Sequence, residues 1–342
     1  MWQQFLATEI TEHCTTVRHP FSVIAASHPV ESLAGILAGF MMTSAAFILG
    51  RQKEANADSG DIVRPKVRVP SQTLTLFGVG VLILGLDAYL YGMITGTAPP
   101  VDSHKNVLPE AQYACAVAWT QYLPAGSMLA VGACFMVAGL GWMLAWHIGF
   151  HDVRSKAVAY VPGTITGIVV ITTSLMSVRN ADLYVKAMSD FGLSVSPLWI
   201  WIPWGLLVLL IFWIVLVVGL RTLGLLARVE DSSRDLDDVL SLRSRPLGLA
   251  TVGAALLALV GPGFASVATD TYLLRDPVTG LPTTFGIAAG VLIAVLPAYL
   301  ILVPLALAVP GPGVEASRRE VREWQRRRVT DGAPGPGGPA RA

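Results

Sequence analysis

Residues 81–96 read VLILGLDAYLYGMITG, a run apolar enough to cross a bilayer that carries one carboxylate, Asp87, in its middle. An ionisable group at membrane depth costs about 2.5 to 3.5 kcal/mol on insertion scales, so such a group marks a candidate functional site by default. The alternative is a buried carboxyl that is neutral or paired and holds helices together. The whole chain shares the apolar character of this stretch: 53% of its residues are hydrophobic and 14% charged, where soluble domains carry roughly 25% charged residues. Mean hydropathy is +0.59. These values predict an all-α fold, a polytopic helical membrane bundle.

Seven stretches reach the roughly 20 apolar residues that a spanning helix needs. They lie near Val30–Gly50, Ser71–Gly96, Ala118–Trp146, Ala157–Val178, Leu198–Leu220, Leu247–Ala268 and Thr283–Val309. Pro29 followed by Glu31 predicts the start of the first helix, because proline suits the first helical position and an acid suits the first turn. Residues 1–10 have neither a basic n-region nor a small-residue cleavage site after an apolar core, so the first span is expected to insert uncleaved. Basic residues then set the orientation. Arg51, Lys53, Arg64, Lys66 and Arg68 follow span one, Arg154 and Lys156 follow span three, and Arg221, Arg228, Arg234, Arg243 and Arg245 follow span five. The alternate connections hold only Arg18, Lys105, Arg179, Lys186 and Arg275. The expected topology has the amino terminus outside and the carboxyl terminus in the cytoplasm. Arginine well above lysine, with abundant Ala, Gly and Pro, points to a bacterial genome rich in GC and hence to a plasma membrane.

Four segments follow from this reading: an extracytoplasmic segment 1–29, a membrane domain 30–309, a basic juxtamembrane helix 310–330 and a disordered tail 331–342. The basic helix carries Arg318, Arg319, Arg322, Arg326, Arg327 and Arg328 around Trp324. Each basic residue near an anionic surface contributes about 1 kcal/mol of attraction, so anionic lipid is its expected partner and nucleic acid is not. The loop 221–245 alternates Leu236, Val239, Leu240 and Leu242 with Asp231, Asp235, Asp237 and Asp238. It reads either as a solvated extension of span five or as a docking segment for a cytoplasmic protein.

Counting inward from the outer ends of the spans puts several polar and helix-weakening residues near one depth. Asp87 lies about 13 Å inside Gly96 at 1.5 Å per residue. Gly261, Pro262 and Gly263 lie a similar distance inside the end of span six and predict a broken helix, since proline removes an amide donor and glycine weakens the helix on either side. Broken helices beside a carboxylate build ion and substrate sites in transporters. Thr172, Thr173, Gln121 and Tyr122 extend this polar outer half, and Arg179 at the outer end of span four is the nearest candidate cation. The expectation is a pocket open to the outside, bounded by these residues, in which Asp87 without a cationic partner is protonated or close to titrating near neutral pH. Tyr89 joins the candidates through a triplet, Asp-x-Tyr, that recurs at Asp182 with Tyr184 and at Asp270 with Tyr272, which suggests a repeated two-helix hairpin.

Other chemistry finds little support. His147 and His151, spaced i, i+4 on one helical face, are weak candidate metal ligands, and His13, Cys14, His19 and His28 fit no zinc spacing. Span seven has no lysine for a retinal Schiff base, and no phosphate-binding loop or GxSxG elbow occurs. No cofactor is expected. Cys14 and Cys115 both fall outside and are expected to form a disulfide, while Cys134 falls within span three. Three functional classes fit these features. They are an accessory subunit or binder of a small or lipidic ligand around Asp87, a transporter using Asp87 as a proton or cation relay, and a membrane-embedded lipid-modifying enzyme.

Overall fold

A computed structural model describes residues 14–15, 21–57, 71–97, 99, 111–151, 156–190, scattered positions between 201 and 212, 236–270 and 284–308. All regular secondary structure among these residues is helical. The helices are α1 (Val23–Ala57), α2 (Ser71–Thr95), α3 (Ala111–His151), α4 (Lys156–Asp190), α5 (Leu236–Asp270), α6 (Thr284–Pro297), a π-helical stretch (Ala298–Leu302) and α7 (Val303–Ala308). Among the described residues five segments are long and apolar enough to cross a membrane: Val23–Gly50, Thr73–Thr95, Tyr113–Met143, Leu247–Val267 and Thr284–Ala306.

Several predicted boundaries move, each for a local reason. The first helix starts at Val23, with Pro29 inside it. Ser22 supplies the cap: its Oγ accepts the Ala25 amide at 3.0 Å, the reciprocal of the exposed donors that every helix start must satisfy. The fourth predicted span ends at Val178, but α4 runs on to Asp190. There the Lys186 ammonium donates to Asp182 at 2.6 Å one turn away, a pairing that supports helix beyond the apolar run. Residues 236–246 continue into the sixth predicted span as part of α5, so this half of the loop extends span six, not span five. Of the fifth predicted span only scattered residues are described. They are helical, with Leu207 buried and Trp201, Val208 and Phe212 exposed. The basic helix, the tail and residues 221–235 lie outside the described residues.

Helix α3 is the hub, packing against all the other helices named above. Its spanning segment is 67% buried, whereas that of α1 is 17% buried. The α2–α3 seam shows how the sequence arranges this. A Cβ at Gly132 would lie 2.5 Å from Leu84 Cγ, and one at Gly139 would lie 2.6 Å from Phe77 Cε1. Large residues seven apart on α2 therefore enter notches seven apart on α3, the small-residue packing that lets membrane helices approach closely. Tyr91, seven residues beyond Leu84, continues the row toward Gly126, whose Cβ would lie 3.9 Å from the phenol oxygen. These three pairings fix an antiparallel register and place Asp87 level with Leu129 of α3.

On the other side of α3, Ser127 meets α6. Pro297 has no amide to give the carbonyl of Ile293. The single proton of the Ser127 hydroxyl is shared among the Leu123 carbonyl of its own helix at 3.1 Å and the carbonyls of Ile293 and Ala294, each at 3.2 Å, so α3 places a donor beside the backbone group that proline frees. The turn then widens into the π-helical stretch.

Candidate functional site

Asp87 is fully buried, and neither of its carboxylate oxygens has a hydrogen-bond partner among the described residues. The phenols of Tyr91, one turn farther out on α2, and of Tyr122 on α3 lie within its electrostatic reach. The two tyrosine rings meet edge to face with centroids 5.9 Å apart. Tyr122 also packs on Trp119 at 6.2 Å and on Phe21 at 6.0 Å. An aromatic column therefore stands between Asp87 and the end of the bundle where α2 stops and α3 begins. Edge-to-face ring pairs favour such an arrangement by about 0.5 to 1.5 kcal/mol beyond the area they bury.

A disulfide joins Cys14 to Cys115, near the start of α3 and one turn before Trp119. Cys14 is buried, and its φ of 58° lies in the left-handed region that non-glycine residues seldom enter. The bridge fastens the amino-terminal segment beside the aromatic column.

The remaining predicted site residues scatter. Tyr89 is 63% exposed, because a residue two positions from Asp87 faces the opposite side of the helix. Gln121 is buried with an unpartnered Oε1, but the α2–α3 register puts it about 12 Å farther out than Asp87 at 1.5 Å per residue. Thr172 is exposed and its hydroxyl returns to the Ile168 carbonyl at 2.9 Å. Thr173 bonds the Val169 carbonyl and approaches Cys134 Sγ at 3.3 Å. Cys134 is a free, buried cysteine.

Arg179 is exposed and makes no bond to Asp87. The predicted break at Gly261, Pro262 and Gly263 is absent: α5 remains helical through all three. A Cβ at Gly261 would lie 2.9 Å from Met128 Sδ and 3.7 Å from Pro124 Cβ. The motif does stand at the depth of Asp87, and its glycine serves close packing against α3. Gly263 faces open space. His147 and His151 lie on the last turns of α3, with side chains outside the described set, and among the described residues no three metal-ligating groups cluster.

A second acid, Glu31, lies in the α1–α2 seam. Glu31 of α1 lies against Gly92 of α2, where a Cβ would sit 3.3 Å from its Oε1. Met41 lies against Gly80 in the same seam, so α1 and α2 are antiparallel and Glu31 stands about one turn outside Asp87. Glu31 opens into a groove of about 430 Å³ lined also by Ala88, Tyr89, Gly92 and Met93. Asp87 does not line it. Tyr91 could have been found as the i+4 neighbour of Asp87; nothing in the sequence pairs Glu31 with Gly92. On α4, Tyr184 is fully buried and shares a 3.3 Å hydrogen bond with Thr120. Burial pushes its phenol up to about 12, with that hydrogen bond pulling the other way.

No protein-family model matches this chain, and no curated protein or solved structure is significantly similar to it, so its geometry alone carries the functional reading.

Proposed function

We propose that this is a seven-span protein of a bacterial plasma membrane, amino terminus outside, that takes a proton or another small cation on and off Asp87 in the course of moving a solute. The carrying observation is the pair of buried, unpartnered carboxylate oxygens of Asp87. A group so placed is expensive to keep: a buried polar atom left without a hydrogen bond costs about 1 to 3 kcal/mol. A carboxyl that must alternately hold and release a cation cannot be permanently satisfied by its neighbours. The tyrosine pair above it supplies hydroxyls on the outward path. In this arrangement the stretch 310–330 holds to anionic lipid, and the connection 221–245 offers a segment for a cytoplasmic partner.

Infrared spectroscopy of the full-length protein in lipid tests this without knowledge of the solute. The carbonyl stretch of a protonated carboxyl group should respond to the pH of the outer solution and should vanish in Asp87→Asn. A band that survives the substitution, or one indifferent to outside pH, removes the proposal.

A second reading, the accessory subunit or binder of a small or lipidic ligand, is favoured by a different observation, the groove beside Glu31. Asp87 lines no cavity there, so a ligand of that kind is drawn to the groove and not to Asp87 itself.

A further inference from the structure

We propose that the groove between α1 and α2 binds an amphipathic amine, with the ammonium held by Glu31 and the apolar body lying against Tyr89 and Met93. The inference does not rest on the role proposed for Asp87.

The groove's chemistry sets the class of ligand. Its volume of about 430 Å³ falls within the 300 to 1,000 Å³ or so usual for small-molecule sites. Gly92 shapes the floor: a side chain there would come against the Glu31 carboxylate, whose Oε1 would lie 3.3 Å from a Cβ. The Gly92 carbonyl already accepts the Gly96 amide at 3.1 Å and the Thr95 hydroxyl at 2.8 Å. Backbone at this level is thus satisfied, and the carboxylate is the group left to meet a ligand. Among the described residues the basic group that pairs with it is His28, whose Nδ1 stands 3.9 Å away on an imidazole that is 80% exposed. That is the long limit of an ion pair, and within this set it leaves the carboxylate able to accept a further contact.

Depth decides between a soluble and an amphipathic amine. Gly92 lies three residues inside the end of α2 at Thr95, or about 5 Å at 1.5 Å per residue, which puts Glu31 at the outer edge of the apolar layer. Tyr89 is 63% exposed and Met93 36% exposed, so the groove's apolar wall faces the side where acyl chains lie. A hydrophilic amine gains nothing from that wall, whereas an alkylammonium matches both ends of the site. The Tyr89 ring adds a face that attracts cations. A divalent metal is disfavoured by the donor set, one carboxylate and one exposed imidazole, and an anion is repelled by the carboxylate.

The test uses tritiated dodecylamine and the full-length protein in phosphatidylcholine nanodiscs, reading the saturable component by scintillation proximity. Wild type and Asp87→Asn should bind alike. Glu31→Gln should bind roughly tenfold more weakly or worse, the loss of one charge-assisted contact, and Glu31→Asp should recover part of it. Tyr89→Ala, a change at an exposed position that spares the fold, should weaken binding several-fold. Dodecanol, with the same tail and no charge, should not compete. Equal binding by wild type and Glu31→Gln, or equal competition by dodecanol, overturns the proposal. Displacement by phosphatidylethanolamine added to the bilayer reassigns the groove to a lipid headgroup and overturns it as stated. Loss of binding in Asp87→Asn with retention in Glu31→Gln moves the site to Asp87 and overturns it too.

Discussion

Asp87 and Asp182 open the same triplet, Asp-x-Tyr, on α2 and α4, and the fold gives the two buried acids different surroundings. On α2 the acid is fully buried and Tyr89 is 63% exposed; on α4 Tyr184 is fully buried and the acid pairs with Lys186 at 2.6 Å. On α2 the two side chains point to nearly opposite sides, as residues two apart on a helix do, whereas on α4 both Asp182 and Tyr184 are buried. The i+4 neighbour separates the two acids. Asp87 is followed at that spacing by Tyr91, which belongs to the row entering α3, and Asp182 by Lys186, which is half exposed. Among the described residues one acid is therefore carried into the bundle without a partner, and the other has Lys186 on one carboxylate oxygen while its second oxygen is buried and unpartnered. The triplets do not mark equivalent places, and the Asp270 triplet lies outside the residues whose side chains are described.

The contrast can be broken experimentally, and the largest effect should be functional. Asp87→Asn should abolish the pH-responsive carboxyl band, while Asp182→Asn should leave it in place; a band that follows Asp182 would invert the comparison. Next comes stability. Asp87→Leu replaces an unsatisfied buried carboxyl by an apolar group of similar size, and should raise stability by about 1 to 3 kcal/mol while eliminating the band. Denaturation in mild detergent measures this, and a loss of stability would mean that Asp87 has a partner after all.

Tyr184→Phe removes the shared hydrogen bond with Thr120 and should cost about 1 kcal/mol. The same change at exposed Tyr89 should cost nothing measurable, and a double substitution with Thr120→Val would show whether the loss resides in that pair. Smallest is Lys186→Met. Its side chain is 43% exposed and that of Asp182 is 11% exposed, so partial screening by solvent holds the pair below about 1 kcal/mol. A loss several times larger would show that the buried Asp182 depends on this one partner.

Composition made the helical membrane character and the span at 71–96 legible, because length and apolarity alone decide whether a segment can cross. Helix ends were less so. Pro29 offered a plausible start, but the capping hydroxyl of Ser22 and the apolar residues after it extend the helix by a further turn and a half. At Gly261–Gly263 the sequence shows what proline removes, and cannot show that α3 packs close enough to hold the helix together. The burial of Asp87 was suggested by its neighbours in sequence. Its lack of a partner depends on where Arg179 and Thr172 point, and α4 turns both to the outside. Glu31 became visible only through the α1–α2 register, which pairs it with a glycine 61 positions later in the chain.

The bridge between Cys14 and Cys115 closes 101 residues of chain, a loop that contains the whole of α1 and α2. In the chain-entropy account a loop of this size limits the unfolded state by about 4 to 5 kcal/mol. In the proposed topology its meaning for biogenesis is larger. Cys115 reaches the oxidising side only after α1 and α2 have both entered the bilayer, so oxidation records that the hairpin is in place. From then on the first third of the protein is a covalent ring that crosses the membrane twice. Within that ring neither helix can be withdrawn alone.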